Sequence, residues 1–186
     1  MPTNNDPNGN AQGIMPNGYA LNYCASMEMM AHAADNGNAY SIVYSGDPGT
    51  TDTDFLYMKN TDDSDLRIYK IKLYCVADVE VSIKLGCTGT PTNTSTVTPV
   101  NALVGSGNTA TGDFYSRTGD LDLTGGDLFD SLFYDFLAGG REMVYDYPAE
   151  IALQKNQALL FNNVTDPSAN IELTVYFYYH EKVEKP

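Results

Sequence analysis

The sequence predicts an all-β protein, an antiparallel two-sheet sandwich of the jelly-roll type with an irregular N-terminal arm. Stretches rich in β-branched and aromatic residues recur at hairpin spacing from Tyr40 onward, separated by clusters of Gly, Pro, Asn and Asp. About eight to ten such stretches are present, and no convincing long helix accompanies them. Two facing sheets are the simplest way to bury one apolar face of every strand in such a series.

The clearest alternation lies near the C-terminal end. From Ile171 to Tyr179 every second residue is apolar and the residues between are largely polar, which is typical of a half-buried strand. Before it, residues 155–157 (Lys-Asn-Gln) form a polar turn between two apolar stretches, which predicts a hairpin. Nothing in this region is chemically reactive, and this favours a structural or binding protein.

Two further strands are well marked in the middle of the chain. In the first strand, alternate residues share one face: Arg67, Tyr69, Ile71, Leu73 and Cys75. In the second strand, apolar and polar residues alternate from Val79 to Cys87. Only Val76-Ala77 joins them, which predicts a tight hairpin. Shorter strands are predicted near residues 40–44, 55–58, 114–115 and 141–147.

Several segments are less regular. Residues 1–22 form an arm rich in Asn, Gly and Pro, and residues 23–186 form the predicted sandwich domain. Residues 25–34 are compatible with a strand or a short helix, and we prefer the strand. Residues 88–112 are a long Thr, Pro, Asn and Gly excursion, expected to be functional or packed. Residues 128–137 fit a strand or a helix, and their aromatic residues and the glycines that follow favour a strand.

Charge limits the possible partners. Twenty-four acidic residues against ten basic ones give a formal net charge of −14, and no basic patch is apparent. We therefore expect neither nucleic acid nor membrane as a partner. The N-terminus lacks a basic segment followed by an apolar one, so we expect synthesis in a host cytoplasm without a secretory signal.

Residues for catalysis are scarce. His32 and His180 are the only histidines, and neither has another ligand type at a useful spacing. Cys24, Cys75 and Cys87 lack the spacing of a zinc site, so we expect reduced thiols, with a bridge between Cys75 and Cys87 left open. We therefore expect that the protein is not an enzyme and that it has neither catalytic residues nor a cofactor.

Clusters of acidic residues raise the question of calcium, which binds several carboxylate oxygens. None has the glycine and the distal glutamate of the twelve-residue calcium loop, so we expect solvated turns and assign no metal ligand. The stretch Asp120 to Asp127 is the best of the three candidates. The clusters are Asp62, Asp63 and Asp65; Asp47, Asp52 and Asp54; and Asp120, Asp122 and Asp127.

Tyrosine is abundant and tryptophan is absent, with 14 and 0 residues respectively. Tyr176 and Tyr178 are predicted on the outer face of the last strand, away from its apolar face. Two interpretations stay open: these rings form a second contact surface, since tyrosine is common at interfaces, or they pack under the excursion at residues 88–112.

Several segments together resemble the head decoration, or cement, proteins of tailed bacteriophages. These are residues 98–103 (Thr-Pro-Val-Asn-Ala-Leu), residues 105–108 (Gly-Ser-Gly-Asn), and residues 149–160 with the aromatic strand that leads to His180-Glu181. The likeness covers mainly residues 66–181. Proteins of that kind are small, acidic, histidine-poor β-sandwiches, often trimeric, on the outside of an expanded capsid. The long Asn/Gly/Pro arm departs from the pattern.

The resemblance implies a structural virion protein on the capsid exterior that cements neighbouring capsomers. Its implied partners are the major capsid protein and other copies of itself in a homotrimer, with residues 1–22 making contacts between subunits or with the shell. Two alternatives from other classes stay open. One is a carbohydrate- or receptor-binding module of a phage tail or fibre, and the other is a tail-tube building block.

Overall fold

The computed structural model describes residues 31–136, 141–165, 167 and 169–180. Eleven strands lie within these residues. They are β1 (Ala39–Gly46), β2 (Thr53–Asn60), β3 (Asp65–Cys75), β4 (Val79–Leu85), β5 (Thr94–Thr96), β6 (Val100–Asn101), β7 (Gly112–Arg117), β8 (Asp127–Tyr134), β9 (Met143–Leu153), β10 (Ala158–Asn163) and β11 (Ile171–His180).

The strands form two antiparallel sheets packed as a sandwich, which confirms the predicted fold class. One sheet has five strands in the order β6-β1-β11-β3-β9, and the other has six in the order β5-β7-β2-β10-β4-β8. The predicted strand at residues 128–137 is confirmed as β8. Apolar side chains from the facing sides of both sheets fill the space between them and form the main core. Among the fully buried ones are Phe55, Phe161, Phe177, Ile42, Met58, Ile68 and Ile83.

Eight of the strands pair in a nested order. β1 pairs with β11, β2 with β10, β3 with β9 and β4 with β8. The two hairpins predicted from the sequence are therefore wrong, because β3 and β4 lie in different sheets, as do β9 and β10. The turn at residues 155–156 is present, but it crosses between sheets about 10 Å apart. Alternation shows that a strand buries one face, and it does not show which strand lies beside it.

An irregularity in β3 overturns part of the predicted alternation. The pairing of β3 with both neighbouring strands shifts around Tyr69, which is one extra residue against β11 and lies opposite four residues of β9, 147–150. The bulge reverses the inward and outward positions on its N-terminal side. Leu66 and Ile68 therefore lie in the core, while Tyr69 packs against Tyr176 and Tyr178 instead of sharing a face with Ile71.

The chain before β1 is helical at residues 31–35, so the predicted strand is wrong in the described part of that segment. Alanine favours a helix, and Gly37 ends it with φ +70°, a left-handed conformation that suits glycine. The Gly37 amide donates to the Ala34 carbonyl at 3.0 Å. Ala33 and Ala34 pack near Tyr178. The predicted arm, residues 1–22, and Cys24 lie outside the described residues, as do the glycines at 139 and 140.

The two sides of the sandwich differ. On one side the sheets end in β5 and β6, short strands supplied by the excursion at residues 88–112, whose residues are exposed or half-buried. Gly112 ends it, and a Cβ there would lie 2.6 Å from the Lys59 carbonyl oxygen. On the other side the sheets end in two long strands, β8 and β9.

Candidate functional site

The two histidines lie on the periphery. His32 is exposed on the helical segment, where the Asn36 side-chain amide lies 3.1 Å from its Nδ1. His180 is half-buried at the end of β11, opposite Asp65. Within residues 31–136, 141–165, 167 and 169–180, no group of three His, Cys, Asp or Glu side chains is placed to hold a metal ion.

Both described cysteines are free thiols. Cys75 is fully buried in the main core. Cys87 is half-buried, and it packs on the outer face of the six-stranded sheet beside the cluster that contains Tyr57 and Leu160. Burial raises the pKa of the Cys87 thiol, so this side chain is not an activated nucleophile.

The acidic clusters cap turns. Asp62 Oδ1 accepts the Ser64 amide at 2.8 Å, and Asp47 Oδ1 accepts the Gly49 amide at 2.8 Å. The second and third clusters meet, because Asp120 Oδ1 accepts the Asp54 amide at 3.3 Å. These contacts are typical of carboxylates that hold loops in place.

Asp54 is the exception among these acids, because it is buried. Its Oδ1 accepts the Asn162 side-chain amide at 2.8 Å. Burial raises the pKa of Asp54, and the Asn162 hydrogen bond opposes this rise. The pair fixes the start of β2 against β10, on the face that the loop carrying Leu121 and Leu123 covers.

The two tyrosines on the outer face of β11 have different environments. Tyr178 is almost completely buried and packs with Ala33 and Ala39, so neither predicted interpretation holds for it. Its hydroxyl donates to Glu150 Oε1 at 2.7 Å. Burial and this hydrogen bond raise the pKa of Tyr178 well above its ordinary value. Tyr176 is half-buried, and the Lys72 ammonium lies 5.8 Å from its ring centroid.

The most unusual surface lies along β8 and β9, and no sequence pattern predicted it. Large apolar side chains are exposed there, each with 41% to 65% of its surface accessible. We call this set the apolar edge. Its members are Leu128, Phe129, Phe133, Phe136, Met143 and Val144.

Two tyrosines of β9 connect the edge strands of the two sheets, although Val144, opposite Lys72, faces the outer side of the five-stranded sheet and Phe133 faces that of the six-stranded one. The Tyr145 hydroxyl donates to the Phe133 carbonyl and accepts the Phe133 amide at 2.8 Å. The Tyr147 hydroxyl donates to Asp130 Oδ2 at 2.8 Å, and its ring centroid lies 6.3 Å from that of Phe129. Burial raises the pKa of both tyrosines, so both hydroxyls stay protonated at neutral pH. The last strands of the two sheets are thereby fixed relative to each other.

A local cause explains why β8 exposes so much apolar surface. Its pairing with β4 shifts between Ile83 and Lys84, where Phe129 is the extra residue of a bulge. Leu132 and Tyr134 face the core, while Leu128 and Phe133 lie opposite Lys84 and Glu80 of β4. The sequence of β8 carries large apolar residues on both faces of the strand. Because this strand ends a sheet, it cannot bury both of these faces.

Comparison of this chain with protein-family models, with curated proteins and with solved structures gives no match. None of the helical residues in the described part of the chain forms a segment long and apolar enough to cross a membrane.

Proposed function

We propose that the protein is a structural virion protein that binds the outer capsid surface and cements neighbouring capsomers. The observation that carries the proposal is the apolar edge. Large apolar side chains exposed together at one side of a protein in water mark a site for another macromolecule. Five such side chains on two cross-linked strands, with Phe136 just after β8, offer preformed surface of the kind that contributes most to protein interfaces.

The strand order supports the same proposal. Each of the first four long strands pairs with its counterpart among the last four. We infer from this order that the sandwich is a jelly roll, an architecture that recurs in viral capsid domains. Architecture alone does not define function, so the jelly roll adds to the apolar edge and does not replace it.

The opposite side of the sandwich leaves room for a homotrimer. Val43, Val100 and Leu103 are exposed there, on or beside β1 and β6. A trimer would present three apolar edges at once. Simultaneous binding of linked sites raises the overall affinity by about 10²- to 10⁴-fold when the geometry matches the lattice.

The test is co-sedimentation with expanded shells assembled from the major capsid protein encoded in the same genome. Wild-type protein is expected to load in a saturable manner, and a Leu128→Ser/Phe133→Ser variant is expected to stay in the supernatant. Val104→Ser is the matched control, since Val104 is 97% exposed on the opposite side. Absence of saturable loading by the wild-type protein would contradict the proposal.

The same assay tests the expectation for residues 1–22. Their deletion is expected to leave a folded domain that no longer loads onto shells, because a polar arm can wrap a large surface when it docks. Full loading by the truncated protein would show that the arm is not required.

A further inference from the structure

On the basis of the proposed function, we propose that the apolar edge binds a different protein, at an apolar surface bordered by lysine and arginine. We further propose that it does so through side chains, without the addition of a strand to the sheet. The charges around the edge, the hydrogen bonds of the β8 backbone and the distribution of basic residues carry this inference.

Acidic residues surround the apolar edge. Glu80 lies directly opposite Phe133 in the β4–β8 pairing, and Asp127 is exposed beside Leu128. Asp78 and Asp135 are exposed near Phe136. Near β9, Lys70 pairs with Asp146 at 3.4 Å and Lys72 with Glu142 at 2.9 Å, whereas Arg141 is exposed just before the strand.

Lys84 lies opposite Leu128 in the same β4–β8 pairing, so four acids and one lysine border β8 and the rim is acidic on balance. A complementary partner carries basic residues at matching positions, because opposite potentials across an interface guide association and like charges oppose it.

The β8 backbone is occupied at two positions on the side away from β4, and the backbone of Phe136, just after the strand, is occupied as well. The Tyr145 hydroxyl binds both polar groups of Phe133, Asp130 Oδ1 accepts the Ser131 amide at 2.8 Å, and Asp78 Oδ1 accepts the Phe136 amide at 2.8 Å. An incoming strand would have to break these bonds to pair with β8. The exposed side chains, by contrast, are available without rearrangement.

A second copy of this chain is a poor partner for the edge. A two-fold contact would place the acidic rim of one copy against the same rim of the other. A head-to-tail contact would need a basic patch elsewhere. Of the ten Lys and Arg residues, two lie in residues 181–186, outside the described residues, and five of the other eight form salt bridges with acids of this chain.

The experiment measures shell loading and oligomeric state for charge reversals at the rim. Glu80→Lys and Asp127→Lys are compared with Asp35→Lys, an equal charge change at an exposed position on the helical segment. At 50 mM salt each rim variant is expected to bind shells about tenfold more weakly than Asp35→Lys. The difference is expected to shrink below about threefold at 1 M salt, where the Debye length is about 3 Å.

Each outcome is decisive. If wild-type protein fails to load at any salt concentration, the proposed function fails and this inference fails with it. If wild-type protein loads but the rim variants bind as tightly as Asp35→Lys, the proposed function stands and the basic partner is excluded. If Phe133→Ser changes the oligomeric state in analytical ultracentrifugation, the edge joins copies of this chain and the inference is overturned.

Discussion

Leu132 and Phe133 are successive residues of β8 that face opposite ways, so their replacement by alanine separates the core from the apolar edge. Leu132 is fully buried in the main core, whereas 57% of Phe133 is exposed. We expect Leu132→Ala to reduce the free energy of unfolding strongly while leaving the edge in place. We expect Phe133→Ala to leave folding nearly intact while weakening the binding of a partner.

The magnitudes follow from burial. Replacement of a fully buried leucine by alanine typically costs about 2–5 kcal/mol, because a cavity adds to the lost burial. Complete burial of a phenylalanine side chain contributes about 1.5–3 kcal/mol. Because less than half of the Phe133 surface is removed from water, its truncation is expected to cost about 1 kcal/mol or less.

Urea unfolding followed by circular dichroism measures both values, and Val104→Ala provides an exposed reference for truncation on the opposite side. Equal losses for Leu132→Ala and Phe133→Ala would refute the assigned direction of the β8 side chains. A loss above about 2 kcal/mol for Phe133→Ala would show that this ring is packed within the folded chain rather than presented to a partner.

Three other substitutions test the interior. Tyr178→Phe removes the hydrogen bond to Glu150 and is expected to lower the free energy of unfolding by about 1.5–3 kcal/mol in urea titrations; an unchanged value would contradict that role. Burial raises the pKa of Asp54 above its ordinary 3.8, so ionisation of this carboxyl group destabilises the fold above the raised pKa. The Asp54→Asn variant is therefore expected to be more stable than wild type at pH 7, but not below about pH 3.8. A pH-independent difference would exclude this explanation. Gly112→Ala is expected to lower the melting temperature because its Cβ would meet the carbonyl of β2, whereas Gly107→Ala, in open space, is expected to change it little; equal shifts would contradict the close approach.

The sequence was informative about which residues form strands and less informative about their neighbours. The alternation at residues 79–85 and 171–179 corresponds to β4 and β11, whose apolar positions lie in the core. The same alternation is compatible with a hairpin or with a crossing between sheets. The connection at Val76-Ala77 crosses between the two sheets. Contacts between strands distant in sequence decide whether a connection forms a hairpin or such a crossing.

The candidate site was harder to predict for a similar reason. Tyr178 looked like a surface residue because it occupies an outward position, but residues from another part of the chain cover it. Phe129 and Phe133 belong to a stretch predicted only as a strand, and they are exposed because β8 ends its sheet. Local sequence does not specify the position of a strand within a sheet, and that position decides whether an apolar side chain is buried or presented.

Hydroxyl-radical footprinting of protein bound to shells tests the central claim most directly, because it measures side-chain exposure with and without the partner. We predict that modification of Phe129, Phe133 and Met143 falls upon loading, while modification of Val104 on the opposite side is unaffected by contact with the shell. Loaded protein whose apolar edge is modified as readily as in the free protein would contradict the claim that this edge binds the capsid.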